Sequence, residues 1–163
     1  MRRFQAGLSL IELVMVLIVI SVLSASALVR LGTPGSQTVS IYADMLESDI
    51  VFTQGLATSW AIPLQLTFSG SSYSVQCKTA TASYPCNVSP ILNPSTSEPF
   101  LINLDNGIAV VGGGFVIDAM GRPRDVASNN ILTADSVITL SSGGASWRIT
   151  TAALTGFVSK QRL

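Results

Sequence analysis

Residues 6 to 20 read "AGLSLIELVMVLIVI": the opening of a membrane helix, except that it holds a glutamate, Glu12, with no basic residue beside it. A charge at the centre of a bilayer helix costs roughly 2.5–3.5 kcal/mol, so an ionisable group in such a segment is read first as functional. From Leu8 to Val29 the only charged side chain is Glu12, and Arg30 closes the run. A helix over that interval would reach about 33 Å, enough to cross about 30 Å of hydrocarbon. Arg2 and Arg3 ahead of it would hold the amino end in the cytoplasm, although Arg30 on the far side keeps the charge asymmetry modest. The rest of the chain then lies outside the cytoplasmic membrane.

An ordinary secretory signal competes with this reading. "MRRFQAG" serves as a basic n-region, Leu13–Leu23 as an apolar h-region and Ala25-Ser26-Ala27 as a small-residue cleavage site, which would leave an unrelated exported periplasmic protein. Glu12 weighs against it, because a removable signal gains nothing from an acid at the start of its apolar stretch.

A short basic leader ending in glycine (Arg2, Arg3, Gly7), followed by "LSLIELVMVLIVISVLSA", resembles the class III signal of type IV prepilins and type II secretion pseudopilins. The resemblance implies that prepilin peptidase, acting on the cytoplasmic side, cleaves between Gly7 and Leu8 and N-methylates Leu8. Glu12 is then the acid at mature position five. The usual first residue of the family is phenylalanine, and Leu8 departs from it. Leu8 and Glu12 are one helical turn apart and share a face, so the carboxylate can meet its own terminal ammonium or that of a neighbouring subunit. A charge that is expensive alone in lipid becomes cheap when paired.

Composition narrows the remainder. The 163 residues suffice for one domain of modest core beside the apolar segment. Basic and acidic residues number nine each, and loss of Arg2 and Arg3 with a leader would leave seven against nine, so bulk charge predicts no strong attraction to nucleic acid or anionic membrane. Histidine is absent, which removes the commonest general base and the commonest transition-metal ligand. No cofactor or metal motif is present: Gly112-Gly113-Gly114 lacks the lysine and helix of a phosphate loop, and aspartates 105, 118, 125 and 135 lack calcium-loop spacing. Asn87-Val88-Ser89 matches a glycosylation sequon at chance frequency. Cys77 and Cys86 cannot complete a zinc site of the usual kind, which leaves a disulfide if the chain is exported and two thiols if it is cytosolic.

The periodicities predict an α+β fold: a long amino-terminal transmembrane and amphipathic helix packed on a carboxy-terminal antiparallel sheet or two-sheet sandwich. Residues 1–7 form the leader, 8–31 the membrane helix, 35–60 an amphipathic helix and 61–163 a β-rich periplasmic domain. Gly32-Thr33-Pro34-Gly35 breaks the first helix from the second. Val39, Tyr42, Leu46 and Ile50, flanked by Met45 and Leu56, define the apolar face of a helix from about Thr38 to Ser59. Period-two alternation on both sides of "SGSS" predicts a hairpin ending at Cys77, and the proline-rich stretch from Lys78 to Pro99 a long loop. Strands are expected at "FLINL", "IAVV", "FVID", "SVITL" and "SWRIT".

The segments "FVIDAMGRPRD" and "VITLSSGGASWRITTAALTGFV" resemble the end of H-type minor pseudopilins and MSHA-type minor pilins, through Gly121-Arg122-Pro123 and a final strand ending in Thr155-Gly156-Phe157-Val158. Leader and carboxy-terminal half together cover about half the chain. The resemblance implies a non-enzymatic structural subunit of an MSHA-like pilus or a secretion pseudopilus, with other subunits, prepilin peptidase and an inner-membrane assembly platform as partners. Arg122 and Arg124 resemble the paired arginines with which some minor pilins of DNA-uptake machines hold phosphates, which makes a DNA- or surface-binding minor pilin the alternative. Against this, non-specific DNA binding usually wants about six or more phosphate contacts, the domain is slightly acidic, and Asp118 and Asp125 flank the pair.

Overall fold

The computed structural model describes residues 10–28, 34–104 and 107–163. Gly7, Leu8, the rest of the leader, Gly32-Thr33 and Asp105 lie outside the described residues. The chain divides into two units, Met1–Pro34 and Gly35–Leu163.

In the first unit, α1 (Leu10–Leu28) is helical over 19 residues and carries Glu12 in its first turn. Its side chains from Leu10 to Ser21 are all exposed, and apart from Glu12 and Ser21 they are apolar, Leu10, Ile11 and Met15 among them. Among the described residues no helix is long and apolar enough to cross a membrane. The expected span from Leu8 to Val29 runs past the described helix at both ends, and α1 alone reaches about 28 Å at 1.5 Å per residue.

In the second unit, α2 (Pro34–Trp60) opens on a proline, whose missing N–H costs nothing in a first turn. It ends in a Schellman motif: Ala61 takes φ 54°, Ala61 N–H donates to Thr58 O at 3.3 Å and Ile62 N–H to Ala57 O at 3.2 Å. The buried line along α2 is Val39, Ala43, Leu46, Ile50, Thr53 and Ala57. This refines the expected stripe, since Tyr42 is only partly buried and Met45 is exposed.

The strands are β1 (Leu64–Ser69), β2 (Ser72–Cys77), β3 (Leu101–Asn103), β4 (Ala109–Gly112), β5 (Phe115–Ile117), β6 (Pro123–Arg124), β7 (Ser136–Ser142), β8 (Ala145–Thr151) and β9 (Val158–Arg162). They form two antiparallel sheets, of order β3-β2-β1-β5-β6 and β4-β7-β8-β9. The expected hairpin is β1–β2, with Leu66 opposite Val75 and both buried. The three glycines carry the chain from the second sheet into the first, between β4 and β5. A Cβ on Gly114 would stand 2.7 Å from Leu66 O, so the crossing hugs β1 as only glycine allows.

Two parts depart from expectation. The long loop feeds the core, because Ile91 is buried and, with Phe100 just beyond the loop, extends the β2 ladder: Ile91 N–H donates to Val75 O, and Val75 N–H to Phe100 O, each at 3.0 Å. The chain also does not end its strands at "SWRIT" or at Thr-Gly-x-Val; Val158 instead begins β9, which pairs with β8 from Thr151↔Val158 to Trp147↔Arg162. Of β9 only Val158 is buried, so the strand has almost no apolar alternation to reveal it. Lys160 fastens it to α2 through an ion pair with Asp44 and a second contact to Glu47 at 3.6 Å, and lies 5.4 Å from the ring centroid of Trp147 on β8.

The core joins α2 residues to Leu64, Leu66 and Val75 of one sheet and Ile138, Leu140 and Ile149 of the other. Each such side chain contributes about 1.5–3 kcal/mol of burial. Gly35–Leu163 should therefore fold without the first unit, and Ile50→Ala should cost it about 2–5 kcal/mol in urea unfolding. A fragment that aggregates while one beginning after Trp60 folds cooperatively would refute the packing role of α2.

Candidate functional site

Glu12 is the ionisable residue of α1 between Leu10 and Leu28, where every other described neighbour is uncharged. It lies in the first turn of the helix. The two residues expected to be processed, Gly7 and Leu8, lie outside the described residues, so the site is seen from its carboxylate side alone.

The globular unit brings together residues that the sequence presented separately. Asp118 follows β5 and is 6% exposed. Its Oδ1 accepts from Met120 N–H at 2.9 Å and Arg122 N–H at 3.0 Å, which shapes the turn before β6. Its Oδ2 accepts from Arg122 Nε at 3.1 Å and Arg124 Nε at 2.9 Å, and Arg122 Nη2 lies at 3.0 Å. Arg124 Nη1 donates further to Asn129 O at 2.9 Å. Burial pushes the Asp118 carboxyl up, but the bonds from Arg122 N–H, the Arg124 guanidinium, Met120 N–H and the Arg122 guanidinium outweigh it and hold the pKa below the ordinary aspartate value. Both candidate phosphate-contacting arginines are thus engaged by one carboxylate. Asp125 is not on them: its Oδ1 accepts from Ala127 N–H, Ser128 N–H and Ser128 Oγ, closing its own turn.

The two carboxy-terminal motifs meet in space. Gly156 has φ 72°, a Cβ there would stand 2.5 Å from Gly121 O, and Gln54 of α2 donates from Nε2 to Gly156 O at 2.6 Å. The glycine of Thr155–Val158 is therefore required where the β8–β9 turn rests on the turn of Gly121-Arg122-Pro123. Spacing along the chain gives no sign of this contact.

Cys77 and Cys86 are joined as a disulfide, with Cα atoms 5.5 Å apart. It ties the end of β2 to the first half of the long loop. A second link between helix and sheet is the bond from Tyr73 Oη to Asp49 Oδ2 at 2.6 Å. Burial raises the Asp49 pKa against the opposing effect of that bond, and burial, followed by Asp49, raises Tyr73. Among the described residues no group of three or more His, Cys, Asp or Glu is placed to hold a metal ion.

Against known proteins, residues 2–28 match the family described as the prokaryotic N-terminal methylation motif. The structure is similar to that of the minor pseudopilin EpsH from the type 2 secretion system of Vibrio cholerae, with a TM-score of 0.57 and 10% sequence identity over 76% of this chain and 96% of that one. No curated protein sequence matches. The chain therefore carries an N-terminal methylation motif over residues 2–28. Its α+β architecture, two antiparallel sheets with a long helix, is similar in fold to that minor pseudopilin.

Two measurements check this geometry. Asp118 has a depressed folded pKa, so its contribution is present above the unfolded value near 3.8 and is lost as pH falls through the folded value beneath it. Asp118→Asn should lower unfolding free energy at neutral pH by about 1–3 kcal/mol, and the difference from wild type should shrink on acidification. For the disulfide, closing a loop of this length contributes about 2.7 kcal/mol in the chain-entropy model. Cys77→Ser should thus lower stability by up to about that amount, and alkylation of the oxidised folded protein should label neither cysteine.

Proposed function

We propose that this chain is a minor pseudopilin or minor prepilin: a non-enzymatic structural subunit that enters a filament, or its tip, through its amino-terminal helix. The observation that carries the reading is the methylation motif at residues 2–28 joined to a pseudopilin-like domain. On this proposal prepilin peptidase cleaves between Gly7 and Leu8 and methylates Leu8. The helix from Leu8 holds the precursor in the bacterial inner membrane, with the globular unit in the periplasm, until the assembly platform passes it to other subunits. A type II secretion pseudopilus is favoured by the similarity to EpsH, and an MSHA-like pilus uses the same parts. The Cys77–Cys86 disulfide supports an oxidising compartment.

Glu12 is the assembly residue in this scheme. Its carboxylate pairs with a terminal ammonium, its own or a neighbour's, and so sets the register of one helix against the next. The alternative of a DNA-binding pilin is disfavoured because Asp118 engages both arginines and leaves one surplus positive charge, far short of the roughly six phosphate contacts of a useful backbone site. A signal cut after Ala27 is disfavoured by the motif match, which runs through that position.

Substitutions at Gly7 and Glu12 should fail differently. A bulky residue at Gly7 should block cleavage and leave an unassembled precursor in the membrane. Glu12→Val should insert more readily, because a cost of roughly 2.5–3.5 kcal/mol is removed, and should still be cleaved. It should then be depleted from sheared filaments, with the mature protein retained in the membrane. Wild-type incorporation of Glu12→Val would overturn the role given to the carboxylate, and an intact mass showing loss of residues 1–27 would overturn the whole reading.

A further inference from the structure

Beside the end of α2, the Asp118–Arg124 turn borders a cleft of ≈ 350 Å³. Its apolar wall comes from Ala61, Pro63, Ala119 and Met120, and its polar wall from Arg122, Arg124 and Asp118. Met120, at 74% exposure, is a large apolar side chain left in solvent at this cleft. The domain has no need of it there for its own core.

The charges in the cleft do not balance. Arg122 spends Nε and Nη2 on Asp118, and Arg124 spends Nε on Asp118 and Nη1 on Asn129 O. Among the described residues no bond takes up Arg122 Nη1 or Arg124 Nη2. One carboxylate therefore serves two guanidiniums, and one positive charge remains. Asp125 does not cancel it: its carboxylate is turned to Ser128 and Ala127, which together with the Lys78 charge hold it below the ordinary value. Asp118 fixes both guanidiniums in place, so a ligand need not bear the entropy of ordering them.

We infer that this cleft docks an apolar peptide segment of a partner protein that carries a carboxylate side chain. The acid would take the free guanidinium edges in charge-assisted hydrogen bonds while its apolar neighbours cover Met120 and the Ala61–Pro63 wall. Nucleic acid fits less well. A single surplus charge is far short of the roughly six phosphate contacts of a useful backbone site, and no aromatic ring lines the cleft to stack a base.

The test uses the full-length processed chain, ¹⁵N-labelled and with labelled methionine methyls, in detergent micelles. Acetyl-Leu-Glu-Leu-amide should shift the Nε–H signals of Arg122 and Arg124 and the methyl signal of Met120 saturably. Acetyl-Leu-Gln-Leu-amide should bind roughly tenfold more weakly or less, because it loses the charge-assisted pair. Met120→Glu places a competing acid at an exposed position and should weaken the glutamate peptide by roughly the same factor with the rest of the spectrum unchanged. Equal binding of the two peptides, no saturable shift with either, or unaltered affinity in Met120→Glu would overturn the inference. So would an oligothymidylate that saturates the same signals at lower concentration than the glutamate peptide.

Discussion

Val39, Ala43, Leu46, Ile50, Thr53 and Ala57 lie along one side of α2 and are shut off from solvent, and both sheets contribute to the core they enter. Neither sheet can bury its apolar face without them. The first sheet relies on Leu64, Leu66 and Val75, the second on Ile138, Leu140 and Ile149, and these side chains form one cluster with the helix. Three polar tertiary links also converge on α2. Asp49 receives Tyr73, Gln54 donates to Gly156, and Asp44 and Glu47 receive Lys160. Each link joins the helix to a different strand or turn, so the burial that any one of them protects is shared by the others.

The polar links differ in how they answer acid. Asp118 is stabilised as a carboxylate, so protonation removes its contribution. Asp49 has a raised pKa, so the folded state holds its proton more tightly than the unfolded chain does, and acidification through that range favours folding at this position. The difference lies in the donors: Asp118 collects backbone and guanidinium N–H groups, whereas Asp49 has the Tyr73 hydroxyl against a larger cost of burial. A shared residue type in one small domain thus supports opposite pH responses.

Much of this architecture was legible in the sequence where burial is periodic. The α2 stripe, the β1–β2 hairpin and the strands around Val110, Phe115, Ile138 and Ile149 all show the spacing that their faces demand. Legibility fails where the stabilising contacts are distant or polar. β9 is held by backbone pairing and by Lys160, so its sequence "VSKQR" carries no apolar alternation. Ile91 looks like an incidental apolar residue in a proline-rich loop until β2 is beside it. At the candidate site, the flanking of Arg122 and Arg124 by two aspartates was plain, but only the fold shows that Asp118 takes both and Asp125 neither. Gly7 and Leu8 were legible purely as a motif, and that motif is matched from residue 2 to residue 28.

The two units treat apolar surface in opposite ways, and the contrast bears on why Glu12 is acidic. Gly35–Leu163 encloses its own core, whereas α1 presents Leu10, Ile11, Met15 and Ile18 outward. Such a helix can be covered by lipid or by the helix of another subunit, and apolar contact discriminates poorly between them, since lipid tails are as apolar as leucine. A carboxylate does discriminate. Lipid penalises it, while a neighbour bringing an ammonium to the same depth removes the penalty. On the proposed assembly route, one acid in a helix with no other charged side chain therefore tips the balance from residence in the membrane toward association with a partner, without requiring any other charge along α1.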